Sequence, residues 1–242
     1  MTKGDTMRRT GNVAIALAIA LVAATCDGGG QKELCVSGDA IPFNTRDRMA
    51  DATITVLEFP EMSMVTGADG HFEFCGFHRG DEVTLRLTAY EQHPIQTATF
   101  TMGNEDIERV TFQVVDLTTY GGLAIMVGII PDDEHLCQMV TTVTRVGRSL
   151  YDEGAHGEAG ATVTIEPALG AEQGPIYFSE EVLPDRDLTE SSADGGVLFV
   201  QAEPGEYVWT ATKPGVEFTQ VRMKCEAGWL VNASPPWGLQ AL

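Results

Sequence analysis

Residues 68–89 read ADGHFEFCGFHRGDEVTLRLTA, and the chain writes this stretch twice. It aligns without gaps to residues 193–214, ADGGVLFVQAEPGEYVWTATKP, at an offset of 125. Asp69-Gly70 falls on Asp194-Gly195, Phe74 on Phe199, Gly80 on Gly205 and Val83 on Val208. Upstream, ATITV at 52–56 matches ATVTI at 161–165 with an offset of 109, and Leu34-Cys35 matches Leu136-Cys137 with an offset of 102. An offset that grows in steps is what loop insertions between matched strands produce. The chain therefore reads as two copies of one module, 33–117 and 121–242, preceded by a segment 1–25 and a tether 26–32.

What the copies keep shows what the stretch is for. The second copy retains the Asp-Gly pair, the apolar residue at every second position and the later glycine, which are the needs of a hairpin with a buried face. It replaces His71, Cys75 and His78 with Gly196, Val200 and Glu203. Alternation puts His71, Glu73 and Cys75 together on the opposite face of their strand. That set has the composition of a metal triad, yet Cys75 is better explained as half of a disulfide. The stretch reads as a turn between strands, and no metal or cofactor is expected.

Short alternating runs bounded by turn residues fill the rest of each module, and helical periodicity is almost absent. Strands are predicted near 34–41, 52–58, 62–66, 71–77, 82–89, 96–102 and 108–115. In the second copy they fall near 122–129, 137–147, 161–167, 176–181, 196–202, 205–213, 217–226 and 228–233, with a longer excursion from 166 to 191. The linking TTYGGLA is short, which places the modules close together. In the first module Ala52, Ile54 and Val56, then Thr66, Asp69-Gly70, Phe72 and Phe74, then Gly80, Val83, Leu85 and Ala89 form a pattern that resembles the carboxypeptidase regulatory-like family. The second module matches it in two blocks. The resemblance implies an all-β chain of two tandem seven-stranded transthyretin-like (prealbumin-like) β-sandwiches. It also implies a non-catalytic accessory domain of secreted or surface proteins, and nothing in the chain resembles the peptidase domain that such modules accompany.

The first 26 residues obey different physics. Lys3, Arg8 and Arg9 precede an unbroken apolar run from Val13 to Ala24, too short to cross a bilayer as a helix and suited to a signal peptide. LVAATC resembles the lipobox of bacterial lipoproteins, whose cysteine, here Cys26, would carry the lipid. Val22-Ala23-Ala24 also suits an ordinary signal peptidase cutting after Ala24. The polar DGGGQKE that follows has the character of a tether. Expected from this is an exported protein held in the cell envelope by an N-terminal lipid anchor, with inner and outer membrane both open through Asp27. Export permits disulfides, and Cys35, Cys75, Cys137 and Cys225 remain to form them, most simply within each module.

The formal charge of −20 argues against nucleic acid, whose phosphates such a chain repels. Searches for H-E-x-x-H, G-x-S-x-G, a Walker loop and C-x-x-C find none. The five histidines, at 71, 78, 93, 135 and 156, scatter over turns and strand ends. DDEH at 132–135 and the pair Asp185 and Asp187 carry the oxygen ligands a hard cation needs without the spacing of a calcium loop, and read as solvated turns. Asn232 opens a glycosylation sequon by pattern only. All three tryptophans lie in the second module, and the 125-residue offset places Tyr207 and Trp209 opposite Glu82 and Thr84, on the outer face. They form a candidate ligand-binding platform, unless the 166–191 segment or the tail with Trp229 and Trp237 folds over them. The expected function is a non-catalytic structural or binding module whose partner is another envelope protein or a glycan. The alternatives are a metal-assisted hydrolase, or a regulatory subunit of a separately encoded envelope enzyme.

Overall fold

Alternating burial marks some of the strands, as at Leu34–Pro42 and His71–Phe77, while others, such as Ile95–Thr101 and Cys137–Thr144, are buried on both faces. The protein is described here by a computed structural model covering Met1 and residues 32–149, 152, 154 and 156–242. Segment 1–25, Cys26 and all of the tether but Lys32 lie outside the described residues, Met1 apart. In the first half, β1 (Leu34–Pro42), β4 (His71–Phe77) and β7 (Ile107–Val114) form a small sheet in the order β4-β1-β7, with β7 parallel to β1. Strands β2 (Thr53–Val56), β3 (Ser63–Val65), β5 (Glu82–Thr88) and β6 (Ile95–Thr101) pair antiparallel in the order β3-β2-β5-β6. Between these layers Ile54, Phe72, Leu85, Leu87 and Phe112 make the first core.

The second half repeats the pairing. Strands β8 (Cys137–Thr144), β12 (Gly196–Ala202) and β15 (Leu230–Asn232) are ordered β12-β8-β15, again antiparallel and then parallel, as in β4-β1-β7. Strands β9 (Thr162–Glu166), β13 (Gly205–Thr212) and β14 (Val221–Cys225) are ordered β9-β13-β14, as in β2-β5-β6. Three short strands are added: β10 (Ile176–Phe178) and β11 (Pro184–Asp185) beyond β12, and β16 (Leu239–Gln240) on β8. Met139, Tyr177, Phe199, Trp209 and Met223 fill the second core.

The halves are fused through one strand. β15 pairs parallel with β8 on one side and with β6 on the other, giving a continuous sheet β11-β10-β12-β8-β15-β6-β5-β2-β3. Leu230 belongs to the first core and its neighbour Val231 to the second. Successive side chains on a strand point to opposite faces, so the two cores lie on opposite faces of the shared sheet. The join is reinforced by charge: Lys224 Nζ sits 2.7 Å from Glu58 and 3.2 Å from Glu82, and Arg222 pairs with Glu82. Arg86, 2.6 Å from Glu226, lies over the Trp229 ring. Burial pushes the Glu58 carboxyl up, but hydrogen bonds from Lys224 and Thr84 outweigh it and hold the group below its ordinary value.

Three expectations are corrected. The Asp-Gly pair does not close a hairpin: β3 and β4 lie in different sheets, and so do β4 and β5, so the turn carries the chain from one layer to the other. Its chemistry is unchanged, since Gly70 (φ 64°) and Gly195 (φ 84°) both take the left-handed conformation, where a Cβ would strike the carbonyl of Ala40 or Val143. Residues 122–129 are not a strand, because α1 (Leu117–Met126) occupies the link. Asp116 caps it, accepting from the amides of Thr118 and Thr119 at 2.9 Å, while Gly121-Gly122 weakened the helical signal in the sequence.

The third correction concerns Tyr207 and Trp209. Both are buried, Trp209 completely, with its ring edge-on to Phe199 at 4.8 Å, whereas Val208 and Thr210, expected in the core, are only half-buried. The cause is one residue. Ile54 pairs with Leu87 and Val163 with Ala211, so the copies superpose here at an offset of 124, because the core residues Phe77 and Val83 are six positions apart but Ala202 and Tyr207 five. A slip of one turns every side chain to the other face. The same error touches the cysteines: in ladder register Leu34, facing Phe77, corresponds to Cys137, facing Ala202.

Candidate functional site

Registers explain why the disulfides differ. Cys35 and Cys75 are direct partners on the outer face of β1 and β4, where they are bonded, while Cys137 points inward and is bonded across the second core to Cys225. Glu73 lies beside the Cys35–Cys75 bond, so these three groups cluster, but both sulfurs are engaged with each other. His71 instead faces Asp39 at 3.2 Å.

A partly enclosed space lies on the other copy. Beyond β15 the shared sheet continues with Val140 of β8 and Leu198 and Val200 of β12 facing away from the second core. No three-stranded layer covers this face. α1, the 127–131 segment and the first half's loop at 43–46 roof it incompletely, leaving an open cavity of about 520 Å³. Gly196 belongs to its floor, and a Cβ there would strike Phe178 at 2.8 Å.

The wall made by α1 is anchored at several points. Tyr120 donates to Asp133 Oδ1 at 2.7 Å and stacks on the buried His93 ring with centroids 3.7 Å apart. Burial and the Asp133 carboxylate keep the Tyr120 phenol above its ordinary value, so it holds its proton as the donor. Arg186 Nε donates to Val127 O at 2.8 Å at the helix end, and Gln201 holds the amide of Asp132 and the carbonyl of Ile130.

Chemistry changes along the cavity. Near α1 the lining is mostly apolar, with Val127, Ile129, Val200, Leu198 and Leu230 around Gln138, whose Nε2 is buried without a partner. At the other end stand Thr142, Asn232, Ser234, Asp194 and His156. Thr142 is 6% exposed, and its Oγ1 has no hydrogen-bond partner; neither has the buried Nε2 of His156. Asn232 Oδ1 accepts from the Ser234 amide at 3.0 Å, and Asp194 Oδ2 from the Gly196 amide at 3.0 Å. Burial pushes the Asp194 carboxyl up, against the pull of Gly196 and the nearby His156.

Of the residues singled out in the sequence, Tyr207 and Trp209 are core, and Cys26 lies outside the described residues. In the DDEH stretch His135 lies 3.0 Å from Asp132, and Asp133 takes the Tyr120 hydroxyl. Asp185 accepts from the Asp187 amide at 2.8 Å in a tight turn, and Asn232 is buried within β15. The cavity residues were missed, although the repeat displayed their signal: Glu73 and Cys75 become Leu198 and Val200, so an outward face turns from polar to apolar.

No family model and no curated protein sequence matches the chain. Among solved structures it is similar to the Bacillus anthracis TIE protein, at 13% identity and a TM-score of 0.29, over 83% of this chain and 33% of that one. It thus spans about a third of the length of that protein. It is also similar to GBS52, the minor pilin of Streptococcus agalactiae, at 9% identity, a TM-score of 0.27 and coverage of 86% and 95%. The shaft pilin SpaA of Lactobacillus rhamnosus GG gives 7% identity, a TM-score of 0.24 and coverage of 86% and 96%.

Proposed function

We propose that this chain is a non-catalytic, exported binding module of the cell envelope, anchored through a lipid on Cys26. It is built from two carboxypeptidase regulatory-like sandwiches, 33–117 and 121–242, and its ligand site is the cavity at their seam. The observation that carries this reading is a 520 Å³ cavity with an apolar floor and a buried, unpartnered hydroxyl, dimensions and chemistry typical of small-molecule sites. Catalysis by Ser234 or Thr142 would need a hydrogen bond to a base, and His156 Nε2 accepts none.

The test is uptake of a neutral hydrophobic dye, Nile red, by the purified chain, together with hydrolysis of a p-nitrophenyl ester. Saturable dye binding without hydrolysis supports the module. Ester turnover lost in His156→Ala would replace it with a hydrolase, and stoichiometric zinc in elemental analysis would revive metal-assisted chemistry. Mass spectrometry of the mature N-terminus tests the anchor: a diacylglyceryl mass on Cys26 is expected, and a free Thr25 terminus would refute it. A protein partner of the regulatory-subunit kind would emerge from a pull-down of envelope extract.

A further inference from the structure

The two ends of the cavity differ enough to specify more than "a ligand". We infer that the cavity takes a single-chain amphipath with a neutral, hydroxylated head, such as an acylglycerol, its hydrocarbon lying toward α1 and its head at Thr142, His156 and Asp194. This deepens the reading of the chain as a binding module and rests on it.

The hydrocarbon end follows from Val127, Val200, Leu198 and Ile129, which pack into a cluster of their own on the uncovered face of the sheet. Each methylene of a medium-length acyl chain buried there strengthens binding about fourfold. The head follows from the valences left open. Thr142 Oγ1 is buried without a partner, as is His156 Nε2, and the Asn232 and Asp194 side chains each accept one backbone amide. A hydroxyl both donates and accepts, so a diol can satisfy Thr142 and a ring nitrogen or carboxyl oxygen together. The charged groups of the lining are of both signs, Arg46 with Asp152 and Asp194, so neither an anionic nor a cationic head meets a uniform countercharge.

The experiment displaces Nile red from the full chain with three probes of equal chain length below their micellar concentrations: monodecanoylglycerol, decanoate and decylamine. The expected order puts the monoglyceride at least tenfold ahead of both charged probes. Thr142→Val should weaken the monoglyceride by about three- to tenfold relative to Nile red, the worth of one buried hydrogen bond. Leu198→Trp should abolish uptake of dye and lipid alike. Decanoate or decylamine binding as tightly as the monoglyceride overturns the inference, as does an unchanged monoglyceride affinity in Thr142→Val. In those cases dye binding by the parent chain leaves the binding module standing. Failure of Nile red to bind the parent chain defeats the module itself. Should Leu198→Trp not fold by circular dichroism, the conservative Thr142→Val decides.

Discussion

Strands β4 and β12 hold the same place in their copies, yet their outward faces differ. β4 shows His71, Glu73 and Cys75 to solvent, while β12 turns Gly196, Leu198 and Val200 toward a roofed cavity. Their inward faces are alike, with Phe72 and Phe74 answered by Val197 and Phe199. Packing fixed the inner faces in both copies. The outer face was free to change in the copy whose sheet was extended by a neighbour, and that is where the cavity lies.

The largest effect expected from breaking this comparison concerns the disulfides. Replacing Cys137 and Cys225 together with Ala opens an 88-residue separation and leaves a void in the core, costing about 5 kcal/mol or more. The corresponding change at Cys35 and Cys75, 40 residues apart and on the outer face, should cost about 4 kcal/mol. Urea unfolding of the two double variants checks the order, and mild reductant should open the exposed Cys35–Cys75 bond first. Next, Trp209→Ala should cost ~3–5 kcal/mol as a core truncation, while Val208→Ala stays near ~1 kcal/mol or less. A mild Trp209→Ala would return the outer-face reading.

The outward faces can also be exchanged. Leu198→Glu, which gives β12 the residue of β4, should destabilise by ~1–3 kcal/mol and end dye uptake. The reciprocal Glu73→Leu should remain within ~0.5 kcal/mol.

The smallest effects are in pH. The lowered Glu58 and Glu82 carboxyls at the join contribute stability that is present above the ordinary carboxylate value of 4.5 and lost as pH falls through their folded values. Asp194 has the opposite sign: its value is raised from 3.8, so its contribution is full below that and lost as pH rises through the folded value. Thermal melts of Glu58→Gln should therefore flatten the acid limb, and those of Asp194→Asn the limb above it.

Much of the sandwich could be read directly. Strand positions follow from alternation, and the left-handed Gly70 and Gly195 from Asp-Gly chemistry. Three things resisted. A connection one residue shorter between matched core positions is invisible to an ungapped alignment, yet it decided the faces of Tyr207 and Trp209. The α1 helix hid behind a glycine pair because its cap, Asp116, is a tertiary-independent signal that periodicity does not weigh. The insertion of β15 between β6 and β8 depends on pairing between residues more than 130 apart, which local pattern does not encode, and with it went the cavity. The substitution of an outward polar face by Leu198 and Val200 was visible, but it reads as lost chemistry until the sheet is seen to continue.

The covalent tie between Cys35 and Cys75 has a mechanical consequence. Tension arriving through the chain ahead of Lys32 reaches the first sandwich at Leu34 and Cys35, the opening residues of β1. At that point the sulfur bond hands the load directly to the far end of β4. A tug on this protein from its leading end is therefore shared by a cross-braced pair of strands, and cannot peel β1 from β4 one hydrogen bond at a time.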